Sequence, residues 1–200
     1  MARLKNLIEK TQTVSTIVTT AYSDAIDITG VSLFSAECVV DVNTPSAKTF
    51  TADDASDTFT TAAHGYTTGL KGQASNSGGA LPTGLSGATD YFVIVLTSST
   101  FKLATSLANA LAGTALTISS NGTGTQTFTP TSIAGANVKL QKSNDGTNWA
   151  DEGSSTSITV DANVFLEKAD CCFKYLRVAY TLTAGSLSAS NIIVGKGVDG

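Results

Sequence analysis

Val138-Lys139-Leu140-Gln141-Lys142-Ser143-Asn144-Asp145-Gly146-Thr147-Asn148-Trp149 carries the pattern of a β-hairpin. Val138 and Leu140 alternate with Lys139 and Gln141, the two-residue period of a strand with one buried face. Asn144-Asp145-Gly146 then supplies a tight turn, because Asp-Gly tolerates the positive φ such a hairpin needs. Trp149 restarts the chain as a return strand. An antiparallel hairpin is therefore expected here.

The same pattern continues on both sides. Downstream, Ser157–Val160, Phe173–Tyr180 and Asn191–Gly195 read as strands. Upstream, β-branched residues run from Val14 to Thr20, and Ala25–Thr29 and Phe34–Val42 follow as strands around Gly30. In Phe34–Val42, Cys38, Val40 and Val42 alternate with Glu37, Val39 and Asp41, which marks one face as apolar. Short strands at this spacing predict an all-β, sandwich or jelly-roll-like domain. Residues 1–13 mix charge with Leu4, Leu7 and Ile8 at helical spacing, so a short helix or an extended N-terminal arm is expected.

Asn43-Thr44-Pro45-Ser46 breaks the pattern. The segment 48–131 has its own style, with most of the glycines, Pro82 and Pro130, and a Gly/Ser/Ala-rich loop over Gly72–Gly87. Tyr91–Leu96 reads as a strand buried on both faces, with Phe101–Ala104 as its hairpin partner. Leu107–Leu111 suits a short helix that Gly113 can cap. Leu116–Ser119 and Thr125–Thr129 read as strands around an Asn121–Gly124 turn. The expected organisation is a sandwich made of 14–47 and 132–200, with a small β-rich domain of minor α content, 48–131, inserted in one of its loops. Loop insertions are tolerated where the two ends lie close together. Two sequential domains with a break near Thr131 are the alternative.

Composition narrows the partners. Charged residues make up 14% of the chain, against roughly 25% in ordinary soluble domains. Ser and Thr, 53 residues in all, supply the polarity instead, so the surface is expected to be rich in hydroxyls. Net charge is −4 and the densest basic stretch is Arg3–Lys5 with Lys10, which disfavours nucleic acid as a partner. No apolar run reaches the roughly 18 residues of a membrane span. Asn6–Ser15 is polar where a signal peptide would be apolar, so synthesis in a cytoplasm is expected.

No motif carries chemistry. Cys38, Cys171 and Cys172 are odd in number and two are adjacent, which points to buried free thiols rather than a disulfide framework or a zinc site. His64 is the single histidine and sits in the turn Ala62-Ala63-His64-Gly65-Tyr66, where local hydrogen bonding is expected. Gly84-Leu85-Ser86-Gly87 misses the nucleophile-elbow spacing by one residue. Asp53, Asp54 and Asp57 lack the glycine-bearing ligand loop of a calcium site and read as turn carboxylates, and Asp145 reads as a turn former. Glu9, Glu37, Glu152 and Glu167 give no recognisable acid pair, and Gly122-Thr123-Gly124 lacks the lysine and helix of a phosphate loop. The chain is thus expected to be no enzyme and to use no metal or cofactor. Trp149 has two readings: a sandwich-core residue, the commoner fate of a tryptophan opening a strand, or a platform for a sugar.

The inserted segment resembles a small module recurrent in tailed-bacteriophage virion and fibre proteins. The resemblance runs through Asp57-Thr58-Phe59-Thr60, His64-Gly65-Tyr66-Thr67-Thr68-Gly69, Leu81-Pro82-Thr83-Gly84-Leu85, Thr89-Asp90-Tyr91-Phe92-Val93-Ile94, Thr100-Phe101-Lys102-Leu103-Ala104, Ser106-Leu107-Ala108-Asn109-Ala110 and Gly122-Thr123-Gly124. Leu140–Trp149 followed by Tyr175-Leu176-Arg177-Val178 looks like β-sandwich domains of phage head and tail proteins. What the resemblance implies is a virion component that binds other virion proteins or host surface; a homo-oligomer made in the host bacterial cytoplasm is also expected. A capsid decoration or head-fibre protein is the first expectation. A neck or tail component is the second, and an adhesin for host surface glycan the third. The resemblance transfers no catalytic residue.

Overall fold

The computed structural model describes residues 4–131, 135–183 and 185–198. In chain order the elements are β1 (Leu4–Ile17), β2 (Ala21–Tyr22), β3 (Ile26–Asp27), β4 (Leu33–Asn43), β5 (Lys48–Asp53), β6 (Thr58–Thr60), β7 (Lys71–Ser77), β8 (Asp90–Val95), β9 (Thr100–Ala104), α1 (Leu107–Leu111), β10 (Thr125–Pro130), β11 (Ala136–Ser143), β12 (Ala150–Ile158), β13 (Ala162–Ala169), β14 (Tyr175–Thr181) and β15 (Ser186–Val198). The fold is all-β. Two compact units form: Met1–Val42, Gly135–Leu182 and Leu187–Gly200 make one, and Asn43–Ala134 with Thr183–Ser186 makes the other.

The first unit is sandwich-like. One sheet has the order β1-β15-β4-β13; the second runs β12-β11-β14-β2, with β3 also on β14. Alternation decides which residues face inward. Phe34, Ala36, Cys38 and Val40 on β4, Val138 and Leu140 on β11, and Leu176, Val178 and Tyr180 on β14 are all buried. A polar seam joins the sheets inside this core: the Tyr180 hydroxyl bonds Asn191 Oδ1 on β15. Glu152 on β12 adds a second tie, bridging Lys142 Nζ on β11 at 2.6 Å and Lys168 Nζ on β13 at 2.5 Å. These bonds, that from Lys142 first, hold the Glu152 carboxyl below its ordinary range.

Burial at the seam has a consequence for pH. It pushes the Cys38 thiol from an ordinary 9.0 up to about 11, and the Tyr180 hydroxyl is raised further, also chiefly by burial. In the unfolded chain both groups ionise at lower pH than in the fold. Their contribution to stability is therefore complete below about pH 9 and is lost as pH rises toward the folded values. The urea midpoint of the sandwich is expected to fall between pH 8 and pH 10.5. A Cys38→Ala, Tyr180→Phe double variant should show a shallower fall, and equal slopes would contradict the assignment.

From Leu4 on, the N-terminal segment departs from the expected arm or helix, residues 1–3 lying outside the described residues. It is strand β1, paired antiparallel with β15 from Leu4↔Val198 to Ile17↔Leu187. A segment this short gains little as an isolated helix, whereas the open edge of β15 offers a full ladder of hydrogen bonds. The sandwich therefore begins at β1, not at residue 14.

The second unit is a closed antiparallel barrel, β10-β5-β6-β9-β8-β7, sealed where β7 pairs with β10. Its core is aromatic. Phe101 lies 5.5 Å from Phe59, 5.5 Å from Tyr66, 5.9 Å from Phe128 and 6.3 Å from Phe50, between ring centroids. The Gly72–Gly87 stretch, expected as a loop, begins with strand β7. Gly72 is needed there because a Cβ would stand 2.5 Å from the Phe128 ring. The glycine makes room for an aromatic rather than for a turn. Leu116–Ser119, expected as a strand, joins no sheet; Leu116 N–H bonds Leu103 O and Ile118 N–H bonds Asp57 Oδ1, so it caps the barrel irregularly. Ser106 caps α1 by accepting from Asn109 N–H, and Gly113 follows its end with φ +74.

Candidate binding surfaces

The residues singled out for chemistry occupy structural roles. His64 is buried; its Nδ1 accepts from Tyr66 N–H at 2.9 Å, so the other nitrogen carries the proton to Thr97 O, also at 2.9 Å. Asp53 accepts from Ala55 N–H and the Ser56 hydroxyl, and Asp57 from Ile118 N–H, while Asp54 N–H bonds Asn121 Oδ1. Asp145 accepts from the Asn148 side chain and from Asn148 and Thr147 N–H, and these bonds keep its carboxyl well below the ordinary range. Glu37 accepts from Asn163, and Glu9 and Glu167 are exposed. Among the described residues no group of three or more His, Cys, Asp or Glu is placed to hold a metal ion. All three thiols are free. Cys38 is buried as expected, but Cys171 is half-buried and Cys172 exposed, because they follow β13 in a loop rather than lying on an inward strand face.

Trp149 does not take the core position, the first of its two expected fates. It is half-exposed on the five-stranded sheet and not in the core. Its indole N–H bonds Gly146 O at 3.2 Å, and the Arg177 guanidinium lies 4.2 Å from its ring and 3.6 Å from the ring of Tyr22. Gln141 Oε1 accepts two bonds from Arg177, at 2.9 and 2.7 Å, and Gln141 donates to Asp151, which also pairs with Lys139. The hairpin turn holds the indole beside the sheet, and the arginine from β14 takes up its π face. No local sequence signal gives this stack away, since Tyr22 and Arg177 are far from Trp149 along the chain.

The outer face of the four-stranded sheet is different in kind. Leu33 on β4, Phe165 on β13 and Ile192 on β15 are exposed there, Phe165 at 62%. Leu33, Ser35, Glu167, Val194 and Lys196 line a shallow depression of about 240 Å³ on the same face. The register places Phe165 directly opposite Glu37 and Glu167 opposite Ser35, so carboxylates stand beside the exposed Phe165. Exposed apolar side chains on three strands of one face are a mark of a contact surface. On the barrel, a third candidate is a cleft walled by threonines from β5 and β6. No helix among the described residues is long and apolar enough to cross a membrane.

No protein family, curated protein or solved structure matches the chain.

Proposed function

We propose that this chain is a structural component of a tailed-phage virion, a capsid decoration or head-fibre protein that docks through the outer face of its four-stranded sheet. The observation that carries the reading is that face: Leu33, Phe165 and Ile192 stand exposed on adjacent strands of a chain whose polar surface is made of hydroxyls. The resemblance of the barrel segment to a phage module supports the class of particle. Glu9, Glu37 and Glu167 outnumber Lys196 on this face and favour a partner that offers an apolar patch rimmed by lysine or arginine. The major capsid protein is the proposed partner, and repeated copies of the chain cover the lattice.

Quantitative mass spectrometry of purified particles tests this reading. On the order of hundreds of copies per particle are expected, as a lattice-bound protein follows the symmetry of its lattice. Six or twelve copies would move the protein to the neck or tail, and its absence from washed particles would overturn the virion assignment.

A further inference from the structure

The outer face of the five-stranded sheet carries a positive charge that no carboxylate balances. Arg177 on β14 is its centre. Nε and Nη2 both donate to Gln141 Oε1, at 2.9 and 2.7 Å, which takes up one edge of the planar guanidinium. Its carbon lies 3.6 Å from the ring centroid of Tyr22 and 4.2 Å from that of Trp149. The end edge of the fork, Nη1 with the outer N–H of Nη2, meets no acceptor among the described residues, and no carboxylate there stands within ion-pair distance of Arg177. Gln141 is held in turn by donating to Asp151, whose charge Lys139 Nζ offsets at 2.6 Å. The arginine is thus fixed in direction by neighbours that leave its own charge over, in a chain of net charge −4.

The surroundings extend this arrangement. Tyr175 lies two residues back along β14 and so on the same face, with Lys174 Nζ 5.0 Å from its ring centroid. Tyr22 is 45% exposed, and Arg177, Trp149 and Tyr175 are each partly exposed. Three aromatic rings and two cations are therefore open to a ligand lying across the sheet.

We propose that this face binds an acidic saccharide, one that carries a carboxylate or a phosphate. The open edge of a preorganised arginine fits such an anion with two parallel hydrogen bonds. The exposed rings take the C–H faces of the sugar, and the polar side chains around them exchange hydrogen bonds with its hydroxyls. A protein partner would need an apolar patch of roughly 800 Å² on this side. Of the large apolar side chains exposed among the described residues, only Tyr22 lies on a strand of this sheet. Covering the face would also desolvate the Lys139–Asp151 pair. A nucleic-acid strand would need a longer basic track than two cations. The proposal stands apart from the docking face and does not depend on it.

The test titrates the full chain with a hexuronic acid, a sialic acid and a hexose phosphate, each beside its neutral counterpart, and follows the fluorescence of Trp149, the single tryptophan of the chain. A saturable change with at least one acidic sugar is expected, weakened about ten-fold or more for its neutral counterpart. Arg177→Lys, which keeps the charge and loses the fork, is expected to weaken binding by about the same factor. Should that variant fail to fold, Tyr22→Ser at its exposed position decides, with a similar loss expected. Absence of saturable binding to every acidic sugar overturns the proposal. So does equal binding of the neutral counterparts, or full binding by the folded Arg177→Lys variant. A response to an acidic peptide that no acidic sugar reproduces also overturns it and makes the face a protein contact.

Discussion

Phe101→Ala is expected to unfold the barrel and leave the sandwich standing. Phe101 is fully buried, and its ring contacts Phe50, Phe59, Tyr66, Phe128 and His64. Truncating a buried phenylalanine costs about 3–5 kcal/mol through lost transfer energy and the cavity left behind. A domain of this size has about 5–15 kcal/mol of stability in total. The large end of the cost is expected here, because the rings around Phe101 come from β5, β6, β10 and the His64–Tyr66 turn, and a closed barrel cannot collapse onto the gap without breaking its ladder. Urea unfolding followed by near-ultraviolet circular dichroism and by Trp149 fluorescence separates the units, since Trp149 belongs to the sandwich. The aromatic circular dichroism should lose its midpoint at low urea while the fluorescence transition stays in place. A single transition shifted equally in both signals would contradict independent cores.

Phe165→Asp is expected to do the opposite, leaving the fold intact and removing particle binding. Phe165 already meets solvent, so the cost to the fold should stay near about 1 kcal/mol, from the poor strand propensity of Asp and its cross-strand neighbour Glu37. Aromatic residues at the centre of an interface contribute about 2 kcal/mol or more when removed, which is about thirty-fold in affinity. A carboxylate added beside Glu37 and Glu167 also turns an apolar contact into a buried like-charge cluster. Co-sedimentation with particles stripped of the protein measures the effect. Loss of binding in Phe165→Asp, with Tyr22→Ser on the other sheet binding normally, is the expected pair of results.

How much of this was legible in the sequence depends on whether a feature is local. The Val138–Trp149 hairpin, the apolar face of Phe34–Val42 and the short helix at Leu107–Leu111 follow from period, turn chemistry and capping, and all three lie where those signals place them. The strand at Leu4–Ile17 was hidden because its partner, β15, is at the other end of the chain and its own pattern mixes periods. β7 was hidden by Gly72, whose reason is the distant Phe128 ring. Trp149 went to the surface because Arg177 and Tyr22 offered its ring a partner there. The docking face was the least legible, because it consists of side chains from three strands that only the folded chain brings to one face.

Whether the outer face of the four-stranded sheet binds a capsid lattice is decided by cryo-electron microscopy of the intact particle at side-chain resolution. Density for this chain is expected at every equivalent lattice position, with Leu33, Phe165 and Ile192 buried against an apolar patch bordered by basic residues. Density that leaves Phe165 in solvent, or a particle that carries the chain nowhere on its capsid, would contradict it.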